Sequence, residues 1–139
     1  MTAADELDPT GRPPHTPGAK LDAGKVRAGL VNRGFARALL AVGEVGTFGA
    51  QKYTPHGWVE VPDGEARYTD ALHRHLLQGA IEDHDPDSGL LHAAHAAWNA
   101  LAVLELMLRS RARTLASPAP ACPATPADAR RPARARARG

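Results

Sequence analysis

Residues 89–108 read GLLHAAHAAWNALAVLELML, and this stretch decides the fold. It is rich in Ala and Leu, which are strong helix formers, and it contains no proline and no glycine after Gly89. Ser88 directly precedes it and is predicted to cap the helix. We therefore expect a long helix over residues 89–108, against which the remainder of the domain packs.

Two helices are predicted upstream of this one. Apolar residues at helical spacing favour a first helix over residues 32–50 and a second that begins at Thr69 or Asp70 and ends near Ile81. Residues 51–64 between them contain repeated Pro and Gly and are predicted to form a long loop. Aromatic residues make up only 4% of the chain, so the core must be built from Ala, Leu and Val. The sequence therefore predicts an all-α fold, a small helical bundle with a long connecting loop.

The two ends of the chain differ from this central part. Residues 1–27 are rich in Pro, Gly and Asp, and residues 109–139 consist largely of Ala, Arg and Pro, so we expect a disordered lead and a disordered tail around a domain at 28–108. The tail carries a net charge of +7, whereas residues 1–108 carry −5. Such a tail is expected to contact nucleic acid only weakly, by charge alone.

Composition also excludes several classes of protein. The single cysteine, Cys122, excludes an internal disulfide framework and a cysteine-based zinc cage. No stretch is apolar enough to span a membrane, and the first fifteen residues do not resemble a secretory signal, so we expect a cytoplasmic protein with no membrane partner. A folded segment of about 80 residues has a small core, which makes a homodimer possible.

Polar residues on the long helix indicate a site. Six of the seven histidines lie between residues 56 and 95. His92, His95 and Asn99 follow an i, i+3, i+7 spacing, which places them on one face of the helix, and that face continues into apolar residues. Buried polar groups without partners cost about 1–3 kcal/mol each, so these side chains need partners. The nearest candidates are the carboxylates of the acidic turn EDHDPDSG at 82–89.

Imidazole nitrogens together with carboxylate oxygens form a ligand set for Zn²⁺, Mn²⁺ or Fe²⁺, whereas carboxylates alone suit Mg²⁺. Lys52 and Arg74 are candidates for phosphate contacts, and Tyr53 or Trp58 for stacking on a base. The alternative is that the histidines are structural and bond Asp70, Glu44 or backbone, that the acidic turn is solvated, and that Trp58 anchors the loop. No sequence motif supports a Ser or Cys nucleophile, so hydrolysis by metal-activated water is favoured.

Three segments resemble a known family. They are GEVGTFGAQKYTPHGW at 43–58, YTDALHRHLL at 68–77 and DPDSGLLHAAHAAWNALAVLEL at 85–106. In this order they resemble the phage and actinobacterial domain called dATP/dGTP diphosphohydrolase, N-terminal, over about residues 28–108. The resemblance implies a hydrolase of purine deoxynucleoside triphosphates that uses a divalent metal and leaves a monophosphate and diphosphate. Such an activity would control the nucleotide pool.

The resemblance also supplies the candidate residues. The positions that match are Glu44, Lys52, Trp58, Arg74, His75, Asp85, His92, His95 and Asn99. We expect His92, His95 and Asp85 to hold the metal. The predicted substrate contacts are Lys52, Trp58, Arg74, His75 and Asn99. The ion expected is Mg²⁺ or Mn²⁺, with Zn²⁺ or Co²⁺ as alternatives.

Glu44 or Glu82 is expected to act as a further ligand or as the general base in this mechanism. Two other functions stay open at the level of sequence. In the first, the domain is a non-catalytic module that binds a nucleotide or a protein. In the second, the basic tail makes the chain a DNA-binding accessory protein.

Overall fold

The chain forms helices joined by turns. A computed structural model describes residues 6–116, and within this range it contains four α-helices, one 3₁₀ turn at Gly57–Glu60 and no β-strand. The helices are α1 (Gly29–Gly34), α2 (Ala36–Lys52), α3 (Gly64–Gly79) and α4 (His92–Ala116). The all-α prediction is therefore confirmed. Cys122 and most of the predicted tail lie outside the described residues, and residues 6–27 of the predicted lead form turns without a helix.

The predicted helix boundaries at 32–50 and 69–81 differ from the observed ones. The first predicted helix is divided at Phe35, whose backbone angles (φ −116°, ψ 23°) are not helical. The second begins at Gly64 instead of Thr69 or Asp70, after Asp63 in a left-handed conformation. Glu65 lies in its first turn, where a negative charge interacts favourably with the helix dipole.

The long helix α4 is shifted towards the C-terminus relative to its prediction. It begins at His92, so Ser88 lies four residues before it and does not cap it. It ends at Ala116, eight residues beyond the predicted end of the domain at 108. The added turns contain Ala, Leu and Arg, which favour helix, and Arg109 Nε donates to Glu105 Oε1 at 2.7 Å one turn earlier.

Helices α3 and α4 form an antiparallel pair that approaches closely at both ends. A Cβ atom placed on Gly79 would lie 3.3 Å from His92 Cβ, and one on Gly64 would lie 2.9 Å from Leu106 Cδ1. Glycines at these two positions therefore allow the two helices to approach. As a result, the last turns of α3 face the first turns of α4, where the histidines lie.

Helix α2 packs on the middle of α4, where an aromatic cluster fills the space between elements. Gly46 lies against the indole of Trp98, whose Nε1 would be 3.2 Å from an added Cβ. The rings of Trp58, Tyr68 and Trp98 meet edge to face, with centroids 5.7–6.3 Å apart. Tyr68 also donates its hydroxyl to the Trp58 carbonyl at 3.1 Å.

The core is small, as the sequence predicts. The buried apolar residues of the described range are Val45, Ala94, Ala96 and Ala102, and several leucines of α4 stay about half exposed. The homodimer remains a prediction. No helix in residues 6–116 has the length and apolar character needed to cross a membrane.

Replacing Ala96 with leucine should destabilise the fold. Ala96 is 4% exposed, and extra methylene groups in a packed core cost about 1–3 kcal/mol. The neighbouring Ala97 is exposed, so Ala97→Leu is the matched control and should change the free energy of unfolding by less than about 0.5 kcal/mol. Urea titrations of both variants measure the difference, and equal effects would contradict the packing of α4 described above.

Candidate metal centre

Three segments bring histidines and a carboxylate together at one end of the α3–α4 pair. His75 lies one turn before the end of α3, Asp85 lies in the connecting turn, and His92 and His95 lie in the first turn of α4. Because α3 and α4 are antiparallel and close here, His75 faces both histidines of α4. The ring of His75 stacks on that of His95 with centroids 4.5 Å apart and a 14° angle between planes.

His92 is the most deeply buried member of the group. Its side chain has no solvent exposure, and its Nδ1 lies 2.9 Å from His75 Nδ1. Its Nε2 has no hydrogen-bond partner among the described residues. A buried nitrogen of this kind normally has a partner, so the group offers a position for one.

Asp85 and His95 are joined through Ser88. Ser88 Oγ donates to Asp85 Oδ2 at 2.8 Å and lies 2.7 Å from His95 Nε2, and Ser88 N donates to the same carboxylate oxygen at 3.0 Å. His95 Nε2 itself lies 3.8 Å from Asp85 Oδ2. These contacts all use Oδ2, which leaves Oδ1 of Asp85 for another ligand.

The turn that carries Asp85 and Ser88 is held by its own backbone. Asp85 N donates to the Leu90 carbonyl at 2.8 Å, Gly89 N donates to the Asp85 carbonyl at 2.7 Å, and His92 N donates to the Asp83 carbonyl at 2.9 Å. Gly89 has φ +71°, a left-handed conformation that glycine adopts readily. The sequence Asp-Pro-Asp-Ser-Gly therefore fixes the Asp85 carboxylate next to the start of α4.

Burial and nearby groups set the charges of this cluster. Burial lowers the pKa values of His75 and His95, and neighbouring histidines lower both further, although the negative charge of Asp85 opposes this. Burial alone would raise the pKa of Asp85, but the two hydrogen bonds from Ser88 outweigh it and hold that pKa below its usual value. At neutral pH His75 and His95 are therefore neutral and Asp85 is negative.

His75, Asp85 and His92 form a possible metal-binding group, since one ligand atom of each lies within 4.8 Å of the others. The sequence predicts Asp85, His92 and His95 instead. In the structure His75 lies in this group, and His95 bonds Ser88 next to it. Asn99, predicted to contact substrate, is buried and donates its Nδ2 to the His95 carbonyl at 2.8 Å, one turn earlier in its own helix.

The predicted phosphate contacts lie at the edge of the cluster. Lys52, at the end of α2, forms a 2.5 Å ion pair with Asp87 in the turn, and both side chains are about half exposed. The Asp87 hydrogen bond and charge raise the pKa of Lys52, so it is positive at neutral pH. Arg74 is exposed, next to His75 on α3.

The two predicted catalytic glutamates lie outside the histidine cluster. Glu82 is exposed in the connecting turn. Glu44 is exposed on α2 and lines an open groove of about 500 Å³ between α2 and residues 88–90. Neither is part of the group formed by His75, Asp85 and His92.

The aromatic residues predicted to stack on a base are arranged differently. Trp58 packs edge to face on Tyr68 and Trp98, and the Arg109 guanidinium lies 5.7 Å from its ring centroid. This is the loop-anchor arrangement that the sequence leaves open as the alternative. Tyr53 is 75% exposed.

Ser88 belongs to this site, although the sequence predicts it only as a helix cap. Its spacing, three residues after Asp85 and seven before His95, is the signal in the sequence.

Ser88→Ala should weaken metal binding about 10- to 100-fold, since residues that orient metal ligands have effects of this size. Ser88→Thr retains the hydroxyl and is expected to restore most of the affinity. Calorimetric titration with Mn²⁺ measures both variants, and equal affinities for the two would contradict the role of the hydroxyl.

Comparisons with known proteins agree on one family. Residues 15–114 match the family model described as dATP/dGTP diphosphohydrolase, N-terminal. Over 91 residues the chain is 35% identical to a protein of Salmonella phage PMBT28 named dATP/dGTP diphosphohydrolase. That alignment covers 65% of this chain and 30% of the relative, so the chain spans less than a third of the phage protein. No solved structure matches.

Proposed function

Because this chain belongs to the dATP/dGTP diphosphohydrolase, N-terminal, family, we propose that it hydrolyses purine deoxynucleoside triphosphates with the help of a divalent metal. In this reaction water attacks the α-phosphorus of dATP or dGTP. The bond between the α-phosphorus and the oxygen that bridges to the β-phosphate breaks, and the products are the deoxynucleoside monophosphate and diphosphate. The observation that carries the proposal is the convergence of His75, Asp85 and His92 within 4.8 Å.

The residues of this cluster fit a metal ion on three grounds. Two imidazoles and a carboxylate are donors that divalent transition metals accept. A divalent cation would offset the negative charge of Asp85, and the neighbouring histidine His75 has its lone pair available because its pKa is lowered. His92 is fully buried, and its Nε2 has no hydrogen-bond partner. A bound ion or one of its other ligands would supply that partner.

The donor set also bears on which ion binds. Mg²⁺ prefers oxygen ligands and keeps several waters, whereas imidazole nitrogen suits Mn²⁺, Co²⁺ and Zn²⁺. Among the ions expected from the sequence, the two histidines therefore favour Mn²⁺, Co²⁺ or Zn²⁺ over Mg²⁺. When bound, such an ion neutralises phosphate charge and lowers the pKa of a water molecule.

The remaining residues bind and orient the substrate in this proposal. Ser88 holds Asp85 and His95 in register through its hydroxyl. Lys52 exchanges its exposed partner Asp87 for a phosphate oxygen, which costs little because exposed ion pairs contribute about 0–1 kcal/mol. Arg74 is the second phosphate contact, next to His75. Of the two predicted candidates for the general base, Glu82 keeps this role in the proposal, whereas Glu44 lines the groove beside the cluster.

A non-catalytic binding module is the second candidate function. It is favoured by one observation, namely that the aligned segment makes up only 30% of the phage protein, whose catalytic residues need not lie in this part. In that case the cluster binds a metal or a nucleotide without turnover. The DNA-binding alternative depends on the basic tail, most of which lies outside the described residues, and the cytoplasmic location likewise stays a prediction.

A panel of deoxynucleotides and metals tests the proposal. Purified protein, first treated with chelator, is incubated with each of the four dNTPs and Mg²⁺, Mn²⁺, Co²⁺ or Zn²⁺, and the products are separated by chromatography. We expect dATP and dGTP to yield monophosphate and diphosphate with at least one ion. Binding of dGTP without turnover under all conditions would support the binding module instead. Absence of both binding and turnover would overturn both functions.

A further inference from the structure

An open groove lies directly beside the histidine cluster. It has a volume of about 500 Å³ and runs between one face of α2 and residues 88–90 of the connecting turn. Leu39, Leu40, Phe48 and Leu90 give it an apolar surface, and Glu44, Thr47 and Gln51 add polar groups to its lining. The groove is open to solvent along much of its length, and its lining is mostly apolar with a few polar groups, which suits one face of a flat ring.

Ser88 connects the groove with the proposed metal centre. Its side chain lines the groove, and its hydroxyl contacts both Asp85 and His95. Lys52, which lies next to Gln51 at the end of α2, reaches Asp87 in the same turn. A molecule that placed its phosphates at Lys52 and the Asp85 cluster would therefore have the rest of its length next to the groove.

We propose that this groove binds the purine base of the nucleotide, an inference that rests on the proposed function of the neighbouring cluster. A flat, largely apolar heterocycle with polar edges matches the leucines and Phe48 together with the polar side chains of Glu44 and Gln51. Trp58, the sequence-based candidate for this contact, packs against Tyr68 and Trp98 instead. In this proposal the groove replaces Trp58 as the site that contacts the base.

The polar lining residues of the groove bear on which purine binds. The carboxylate of Glu44 accepts hydrogen bonds but donates none when ionised, so it pairs with N–H groups on a base edge. Guanine presents an amino group and a ring N–H side by side, which suit the two oxygens of one carboxylate. Glu44 therefore favours dGTP over dATP, and Gln51, which both donates and accepts, serves either purine.

Gly43 is a position at which a larger side chain can block the groove. It lines the groove, and a Cβ atom added there would meet nothing within 4 Å. A side chain at this position therefore begins in open space at the lining of the groove, and leucine is a better helix former than glycine. Gly49 lies six residues later in α2, also has open space around an added Cβ, and is not part of the groove, so Gly49→Leu is the matched control.

The experiment compares the KM for dGTP with the inhibition constant of inorganic triphosphate, which has phosphates but no base. We expect Gly43→Leu to raise the KM for dGTP about tenfold or more, which corresponds to about 1.4 kcal/mol. The inhibition constant of triphosphate should stay within about twofold, and Gly49→Leu should leave both values unchanged. As a further readout, Glu44→Gln should reduce the ratio of dGTP to dATP efficiency.

The possible results distinguish a failure of the groove inference from a failure of the proposed hydrolase function. If the unmodified protein turns over dGTP but Gly43→Leu and Gly49→Leu behave alike, the base binds elsewhere and the inference is wrong. If Gly43→Leu weakens dGTP and triphosphate equally, the groove holds phosphates and the inference is likewise wrong. If the protein turns over no nucleotide, direct titration with dGTP and triphosphate replaces kinetics, and the same comparison of the two variants decides the inference.

Discussion

The His92→Leu variant should lose the metal-dependent stabilisation of the fold together with hydrolytic activity. A metal at 100 times its dissociation constant stabilises the native protein by about 2.7 kcal/mol, because it binds the folded chain and not the unfolded one. For a domain of this size such a gain raises the melting temperature by about 10 °C or more. His92 offers a buried ligand atom in the group with His75 and Asp85, so its removal should abolish most of this shift.

The metal-free variant should remain folded, which makes the result interpretable. Leucine is apolar and fills most of the space of the imidazole, and it removes Nε2, which has no hydrogen-bond partner, together with Nδ1, which lies 2.9 Å from His75 Nδ1. Leaving His75 without this partner costs about 1–3 kcal/mol. We therefore expect metal-free His92→Leu to remain folded, with a melting temperature roughly 5–15 °C below that of the unmodified protein.

His84→Leu is the control for His92→Leu, since His84 is an exposed histidine in the neighbouring turn. It should retain the thermal shift with Mn²⁺, Co²⁺ or Zn²⁺ and the activity. Differential scanning calorimetry with and without each metal measures both variants. A full metal shift in His92→Leu would contradict the proposed centre, and so would loss of the shift in His84→Leu, because His84 lies outside the group.

The sequence predicts the fold of this chain better than the ends of its helices. The long run of Ala and Leu after residue 89 indicates α4 because no competing turn residue interrupts it. Its start is shifted to His92 because Gly89 adopts a left-handed conformation and Ser88 bonds Asp85, both of which hold the preceding residues in a turn. Such local competition between a turn and a helix depends on contacts that spacing alone does not contain.

The sequence contains the residue types of the candidate site but not their arrangement in space. A spacing of three residues places His92 and His95 on one face of α4, yet it does not say which of them meets Asp85. That choice depends on α3, which approaches α4 closely because Gly79 lies against His92. It brings the ring of His75 next to the rings of His92 and His95. The position of Trp58 likewise depends on two aromatic partners that are distant in the sequence.

The Asp85→Asn substitution should lower metal affinity at least 100-fold and reduce activity accordingly. Asp85 is the one carboxylate in the group, and its lowered pKa keeps it charged at neutral pH. Asparagine retains the size of the side chain and one oxygen but removes the negative charge that a divalent cation requires here. The backbone N–H and the hydroxyl of Ser88 both donate to Asp85 Oδ2, so they need an acceptor at this position. The asparagine amide must therefore turn its oxygen towards Ser88, which leaves its NH₂ at the ligand position.

Asp87→Asn is the matched control, since Asp87 lies two residues away in the same turn and bonds Lys52 at the surface. An exposed ion pair contributes about 1 kcal/mol at most, so this variant should change metal affinity less than about fivefold. Calorimetric titration with Mn²⁺ compares the two. If Asp87→Asn were the more damaging change, the cation would lie between the turn and α2, on the Lys52 side. Equal small effects would mean that the negative charge of this turn is not a metal ligand, and that Ser88 and His95 stabilise Asp85 for structural reasons alone.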